Sequence, residues 1–380
     1  MSKTLLIIGD CCDDKWIGGF LRNCAFHKGQ ADVYCANTNY STNYFTGFDE
    51  ICKDIYNVKK HCPLFLYKIP IIRRLLYFLD IKLLFRPLFH SSKFDIINIH
   101  YVLPELCSVN FKKHTKCLVI TPWGSDVLRR SWLELLLLKK VFDSCDYITV
   151  PQPRFRDEIK LKLGQPDSKF LSFGMGTDVV DYLIENQNYK KNQAKEDLGL
   201  RDKFIVVCGY NAHPEQNHIQ IIDALSKIKK ELPDNTILLF PMTYGAPQAY
   251  KNTVNEYVKN KGFECVFFEK FLEKEELLAI RKGADVFIHA QKTDNNSGSL
   301  AEHLLCGTKV VNAAWLKYPQ YESLGTPYYV FNSFEELPEV VLKAIHNTES
   351  LISPAIVECI KGISWSFMSK QWQDFVGNVE

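Results

Sequence analysis

The chain has 380 residues, 46% hydrophobic and 24% charged, with a formal net charge of +2. Such a length exceeds what one core normally serves, so two domains are expected, and the composition excludes disordered, collagenous and membrane-spanning classes. Residues 1–180 hold 25 Lys/Arg against 18 Asp/Glu, a net of +7, and the rest hold 21 against 26, a net of −5, so the first half is the one expected to meet something anionic.

The N-terminus runs straight into TLLIIGD, without a secretory pattern. The 13 cysteines are scattered, several in apolar runs (Cys107, Cys117, Cys208), with no C-x-x-C pair. They read as reduced core thiols of a cytosolic protein rather than disulfides or zinc ligands. Along the chain, short runs rich in Val, Ile and Phe alternate with segments long enough for a helix. TLLIIGD, ADVYCAN, FDIINIHY, CLVITPWG and YITVPQ are the predicted strands of the first half. FIVVCGY, NTILLFPM, ECVFFEK, DVFIHAQ and KVVNAA are those of the second. Alternating strands and helices make βαβ units. The predicted class is therefore α/β, with two doubly wound, Rossmann-like domains facing across a cleft and ligands beyond the carboxyl ends of the strands.

Lys59 to His90 interrupts the first half with seven Lys/Arg and one acid among bulky apolar residues. Pro63, Pro70 and Pro87 predict that any one helix there is short. Lys68, Arg73, Arg74, Lys82 and Arg86 recur among Leu, Ile and Phe, a pattern suited to an anionic membrane surface. Two buried helices with snorkelling cations are the alternative. RRSWLELLLLKKVF (129–142) either extends that face or is a core helix with charged ends. No apolar stretch is long enough to span a bilayer. FLSFGMGTDVVDY (170–182), with two glycines and a polar run after it, marks the boundary. The expected domains are 1–175 and 176–362, with a closing helix at 363–380.

Asp294 and Glu302 stand eight positions apart, around a polar loop and a short helix-like run. With CGTKVV (306–311) they resemble the acid-x7-acid motif of family 4 glycosyltransferases, which have the glycosyltransferase B fold. The spacing, the second acid and Cys306-Gly307 match; the first acid is Asp where the family has Glu, and NNSGS replaces GFG. Other stretches follow in order. GDCCDDKWIGG, with Gly18 and Gly19, resembles the opening glycine loop, expected to approach a phosphate or the acceptor. FDIINIH resembles a D-x-V-x-x-H strand, placing His100 at its carboxyl end. TPWGSDV resembles T-x-H-G-x-D, with Trp123 where histidine is common, then Gly124 and Asp126. FLSFGMGTD resembles the hinge and SWSFMSKQWQDF the closing helix. The resemblance implies a donor nucleotide in the second domain. Backbone N–H groups around Ser297, Gly298, Ser299 and Leu300 at a helix N-terminus would cradle its diphosphate. Glu302 would accept from ribose hydroxyls, and Asp294 would face the sugar. An N-capped helix with two solvated acids is the alternative.

CGYNAHPEQNHIQIIDAL, LLFPMTYGAPQAY, FFEKFLEKEELLAIRKGADVFIHAQ and NSGSL are also similar to the bacterial 4-acetamido-4,6-dideoxygalactose (N-acetylfucosamine) transferase family, which acts on a lipid diphosphate carrier. Family 4 usually presents an Arg and a Lys to the diphosphate. This chain has Tyr210, Asn211, His213, Gln216, Asn217 and His218 there instead, so neutral donors, helix dipoles, Tyr244 and Lys270 are expected to serve.

Cleaving a glycosyl–diphosphate bond puts negative charge on the leaving group, and stabilising that charge is expected to contribute most to catalysis. Asp13-Asp14 is a poor match to a metal-holding D-x-D, so neither metal nor cofactor is expected. An inverting enzyme needs a base, for which His100, Glu105 and Asp126 are the candidates; a retaining one does not. The expected protein is a glycosyltransferase, peripheral on the cytoplasmic face of the cell membrane. It would move a sugar from a nucleotide diphosphate sugar to a lipid-linked or oligosaccharide acceptor in surface polysaccharide assembly, with no nucleic-acid partner. A sugar-nucleotide epimerase of the same fold and a degenerate, non-catalytic scaffold are the rivals.

Overall fold

The computed structural model of the chain describes residues 2–294 and 296–379. It divides into two compact units, Met1–Gly176 with Trp365–Glu380, and Thr177–Ser364. The second crossing of the chain falls two residues after the expected start of the closing helix.

The first unit holds a seven-stranded sheet of β1 (Lys3–Gly9), β2 (Ala31–Asn37), β3 (Asp54–Asn57), β4 (Phe94–His100), β5 (Thr115–Thr121), β6 (Tyr147–Thr149) and β7 (Phe170–Leu171). Its order is β3-β2-β1-β4-β5-β6-β7, with every pair parallel. Helices cover both faces, which is why the central strands are apolar at most positions. Leu6, Ile8, Ile97 and Ile120 face one core with Phe85 and Phe142. Leu5, Ile7, Ile96 and Val119 face the other with Phe20 and Trp372. The helix Trp365–Asn378 belongs to this second layer. Its Trp372 indole donates to the Gly174 carbonyl at 2.8 Å, and a Cβ on Gly176 would lie 2.6 Å from the Trp365 ring.

The second unit holds a six-stranded parallel sheet of β8 (Phe204–Cys208), β9 (Thr236–Pro241), β10 (Glu264–Phe268), β11 (Val286–His289), β12 (Lys309–Ala313) and β13 (Tyr329–Phe331). Its order is β10-β9-β8-β11-β12-β13. Both sheets are therefore doubly wound α/β layers, and the ten predicted strands are all present. The three strands that sequence did not reveal, β3, β7 and β13, are edges of two to four residues. With only one neighbour each, they need no long apolar run.

One expectation is overturned. Pro70–Ser91 is a single helix of 22 residues, not a series of short ones. Pro70 opens it, where no N–H partner is needed. Pro87 lies inside and forfeits one hydrogen bond, but buried Ile81, Leu84, Phe85 and Leu88 anchor the helix on either side of it.

Strand order reverses between β1 and β4 in the first sheet and between β8 and β11 in the second. Loops leaving the carboxyl ends of such neighbours diverge and leave a crevice, so each unit has one defined place for a ligand.

Candidate functional site

In the second unit the chain leaves β8 at Gly209, with φ +69°. A Cβ there would lie 3.0 Å from Gln216 Oε1 and 3.1 Å from His218 Nε2. Only glycine fits both constraints. The loop it starts is tied to the loop after β11. Asn217 Nδ2 donates to the Ala290 carbonyl at 2.7 Å, Gln216 Nε2 to Gln291 Oε1 at 2.5 Å, and Lys292 N to the Glu215 carbonyl at 2.8 Å. The loop after β9 joins them through Ala212 N and the Tyr244 carbonyl, 2.7 Å apart. Gly245, φ +101°, packs on the backbone of His213. Tyr210, Asn211, His213, Gln216, Asn217, His218 and Tyr244 thus meet at this end of the sheet, the rings of His213 and Tyr244 on the exposed rim. Lys270 does not: it follows the edge strand β10, two strands from the switch point.

Beyond β11, Ser297 caps the helix Gly298–Leu305, its Oγ accepting from Leu300 N at 3.1 Å. The first-turn N–H groups have no intrahelical partner and carry the positive end of the dipole. Asn295, in the same loop, lies outside the described residues. Asp294 Oδ1 accepts from Asn296 N at 3.1 Å, and its Oδ2 lies 3.5 Å from His289 Nε2. Asn312 Nδ2 donates to the carbonyls of Ala313 and Leu316, so its Oδ1 accepts, at 2.9 Å, from His289 Nδ1. Burial and the Asp294 carboxylate hold the hydroxyls of Tyr210 and Tyr318 protonated.

Glu302 is buried, and its Oε2 accepts from Arg281 Nε at 2.9 Å. One of its two oxygens is therefore engaged inside the protein, which the sequence did not foretell. Two other polar atoms at this end of the sheet are buried without a protein hydrogen-bond partner, Gln216 Oε1 and Ser299 Oγ. Burial depresses His218 to about 4, so its ring is neutral. Buried polar groups are nearly always paired, and two unpaired ones beside a helix N-terminus suit a polar, anionic ligand.

The first unit has a cavity of about 680 Å³ at its own switch point. Asp10 and Asp13 follow β1, Tyr101 and Glu105 follow β4, Trp123 follows β5, and Arg73, Arg74 and Tyr77 come from the helix Pro70–Ser91. Arg74 pairs with Glu134 at 2.8 Å and lies 3.9 Å from Glu105. Burial raises the Glu105 carboxyl. Tyr101 has φ +51°, unusual for a bulky residue and typical of functional loops. Its ring lies 5.5 Å from that of Trp123, which in turn lies 5.5 Å from Trp16.

Of the three predicted bases, only Glu105 lines this cavity. Asp126 is wholly buried and accepts from the N–H groups of Val102, Trp123 and Gly124 at 2.9, 3.0 and 2.9 Å. It staples the turn in which Gly124 takes φ +103°, and burial pushes it up to about 6. His100 is buried against Phe20 at 4.6 Å. Thr121 Oγ1 donates to Asn98 Oδ1 at 2.9 Å, leaving Asn98 Nδ2 to donate to His100 Nε2 at 3.0 Å. Burial lowers this ring to about 3. Gly18 and Gly19 have ordinary helical φ values of −60° and −57°. A Cβ on Gly18 would lie 2.8 Å from Phe45 Cβ, so packing, rather than a phosphate, accounts for that glycine. Sequence reasoning passed over Asp10 and Arg281; the signal for Asp10 was its place at the end of a strand beside the switch point.

Arg73 and Arg74 line the cavity wall rather than facing only outward. Lys68, Lys82 and Arg86 are exposed. Ile71, Leu75 and Leu79 are exposed too, and with Lys82 and Arg86 they recur at the three- and four-residue spacing of one helix face. Trp132, Leu133 and Leu136 are 69%, 57% and 54% exposed on the helix Trp132–Ser144. Among the described residues no helix is long and apolar enough to cross a membrane. Nor, among them, do three His, Cys, Asp or Glu side chains gather as metal ligands would.

Two parallel doubly wound units with a closing helix in the first define the glycosyltransferase B fold, and solved structures match it over the whole chain. HepE from Anabaena, in complex with UDP, is 14% identical, with a TM-score of 0.68 over 98% of this chain and 99% of that one. Sucrose-phosphate synthase from Thermosynechococcus elongatus is 13% identical, with a TM-score of 0.69 over 98% of each chain. A glycosyltransferase from Rickettsia africae is 12% identical, with a TM-score of 0.68 over 100% of this chain and 99% of that one. No protein-family model matches the chain, and no curated protein does.

Proposed function

We propose that the chain is a glycosyltransferase that takes a nucleotide diphosphate sugar in the second unit and an acceptor in the first. The observation that carries this reading is the β8–β11 switch point. A capped helix N-terminus, unpaired buried polar atoms and two fixed acids converge there within a chain whose fold is shared by HepE, a protein solved with UDP and with UDP-glucose. In this reading the first-turn N–H groups at Gly298 and Ser299 receive the diphosphate, Glu302 the ribose and Asp294 the sugar. Stabilising the departing diphosphate lowers the barrier most, and neutral donors with a helix dipole do so here in place of a metal ion.

The 680 Å³ cavity of the first unit supplies an acceptor place that a sugar-nucleotide epimerase does not require. Glu105, raised by burial, is its candidate base. The exposed apolar-basic face of the helix Pro70–Ser91 favours an acceptor carried on a lipid, with the enzyme resting on an anionic membrane during surface polysaccharide assembly.

Calorimetric titration with UDP, GDP and dTDP tests the donor half. Micromolar binding of one of them, weakened at least tenfold in Glu302→Ala, is expected. Failure of all three to bind would replace the transferase with a non-catalytic scaffold.

A further inference from the structure

We infer that Arg281 is the positioning residue of the nucleotide site: it fixes the Glu302 carboxylate so that a single oxygen, Oε1, is presented to the ribose diol. The inference rests on the donor reading above and adds to it a residue outside the motif. Arg281 sits in the last turn of the helix Lys274–Gly283 and is only 4% exposed. Its Nε donates to Glu302 Oε2 at 2.9 Å. Its Nη1 lies 3.2 Å from His303 Nε2. The Thr308 hydroxyl donates to the Arg281 carbonyl at 2.8 Å, which leaves that hydroxyl to accept from His303 Nδ1 at 3.2 Å. His303 thus carries its proton on Nδ1 and offers Nε2 as an acceptor to the guanidinium. Its ring is further held by stacking on Phe287 of β11, 4.1 Å away. Burial and the neighbouring guanidinium keep it neutral.

The chain Phe287, His303, Arg281, Glu302 leaves the carboxylate little freedom about its final torsion. Glu302 Oε1 then faces the first turn of its own helix, 3.5 Å from where a Cβ on Gly298 would stand. A fixed carboxylate is a better acceptor than a mobile one because its ordering is complete before the ligand arrives. A lysine at 281 keeps the charge but lacks the planar fork that contacts both Glu302 and His303.

The test compares UDP, GDP and ADP with their 2′-deoxy counterparts by calorimetry, on the full chain, Arg281→Lys and Arg281→Met, with thermal midpoints recorded for each. The wild type is expected to prefer the ribonucleotide at least tenfold. In Arg281→Lys that ratio should fall below threefold through weaker ribonucleotide binding, with deoxynucleotide affinity within twofold of wild type. Arg281→Met leaves a buried carboxylate unpaired and should also lower the thermal midpoint; the lysine variant keeps the charge and carries the test if the methionine variant unfolds. A ratio kept in a folded Arg281→Lys overturns the inference while leaving the donor reading intact. Equal loss of both nucleotide series would make Arg281 structural only and also overturns it. A wild type that binds the deoxy series as well as the ribonucleotides, or that binds dTDP alone, overturns the inference and leaves the donor reading intact; failure of every nucleotide, dTDP included, overturns both.

Discussion

The two switch points are built from opposite materials. The one in the first unit is an open cavity lined by ionisable side chains, Asp10, Asp13, Arg73, Arg74, Arg130 and Glu134, between aromatic rings. The one in the second unit is made of backbone, amides, hydroxyls and rings, and its charged residues have close neighbours: Glu302 pairs with Arg281, and Asp294 lies beside His289. A nucleotide diphosphate brings its own charge and needs ordered dipoles that do not have to reorganise. An acceptor saccharide is neutral over most of its surface and is held by carboxylates, guanidinium groups and aromatic faces. Under the proposed function the same topology would carry two kinds of recognition, decided by which residues follow the strands.

The largest expected effect comes from breaking the second site alone. Gly209→Val would put a branched side chain at φ +69° and against Gln216 and His218. Strain and overpacking of this sort cost about 2–4 kcal/mol. Nucleotide binding is expected to fall at least a hundredfold in titration, with helix content by circular dichroism retained and hydrogen exchange in the first unit unchanged. Nucleotide affinity within threefold of wild type would separate the β8 loop from the donor site.

Mild acid sharpens the contrast. His218 and His303 in the second unit are buried and neutral, the first depressed to about 4 and the second well below its ordinary value. An unfolded histidine binds a proton near pH 6.5, so between pH 6.5 and 5 the unfolded state gains protons that the native unit does not. Stability therefore falls as pH falls, by about 2 kcal/mol per histidine at about 1.4 kcal/mol per pH unit. The first unit has one such deeply buried ring, His100, held near 3; His27 and His114 are lowered but sit nearer the surface. It also has Asp126, raised to about 6. That carboxyl takes up its proton in the native state first, so between pH 6 and 5 its contribution is stabilising and offsets most of the loss at His100. Hydrogen exchange by mass spectrometry at pH 7 and pH 5 should show protection lost chiefly in Thr177–Ser364. Equal loss in both units would refute the assignment, and His218→Gln should reduce the effect.

What could be read in advance follows the same physics. Nine of the ten predicted strands lie inside their sheets, where burial on both faces demands apolar runs; β10 is an edge that carries such a run all the same, while the edges β3, β7 and β13 are only two to four residues long. The loop after β11, proposed to hold the donor, was legible because a strand, a small polar loop and a helix start are contiguous in sequence. The cavity of the first unit was not, since it joins Asp10, Tyr101, Trp123 and Arg73 from four separated stretches. Asp126 and His100 misled for a related reason: strand-end acids and histidines look alike in sequence whether they face a ligand or staple a turn. Arg281 was hidden because a buried arginine on a helix of charged residues reads like its solvated neighbours.

The smallest expected effect concerns the outer surface. Lys82 and Arg86 share a helix face with Ile71, Leu75 and Leu79, exposed by 78%, 65% and 41% for the three apolar residues. Such a face lies flat on an anionic bilayer, each cation near the surface contributing about 1 kcal/mol. Lys82→Gln with Arg86→Gln should therefore weaken binding to phosphatidylglycerol vesicles by roughly thirty-fold. Neither residue lines the cavity, so nucleotide titration and thermal midpoint should stay at wild-type values. Replacing Ile71 and Leu75 by serine should weaken binding further at high salt, where screening leaves only the apolar contribution. Vesicle binding that survives all four changes would place the membrane contact elsewhere, and the comparison between the units would then concern their ligands alone.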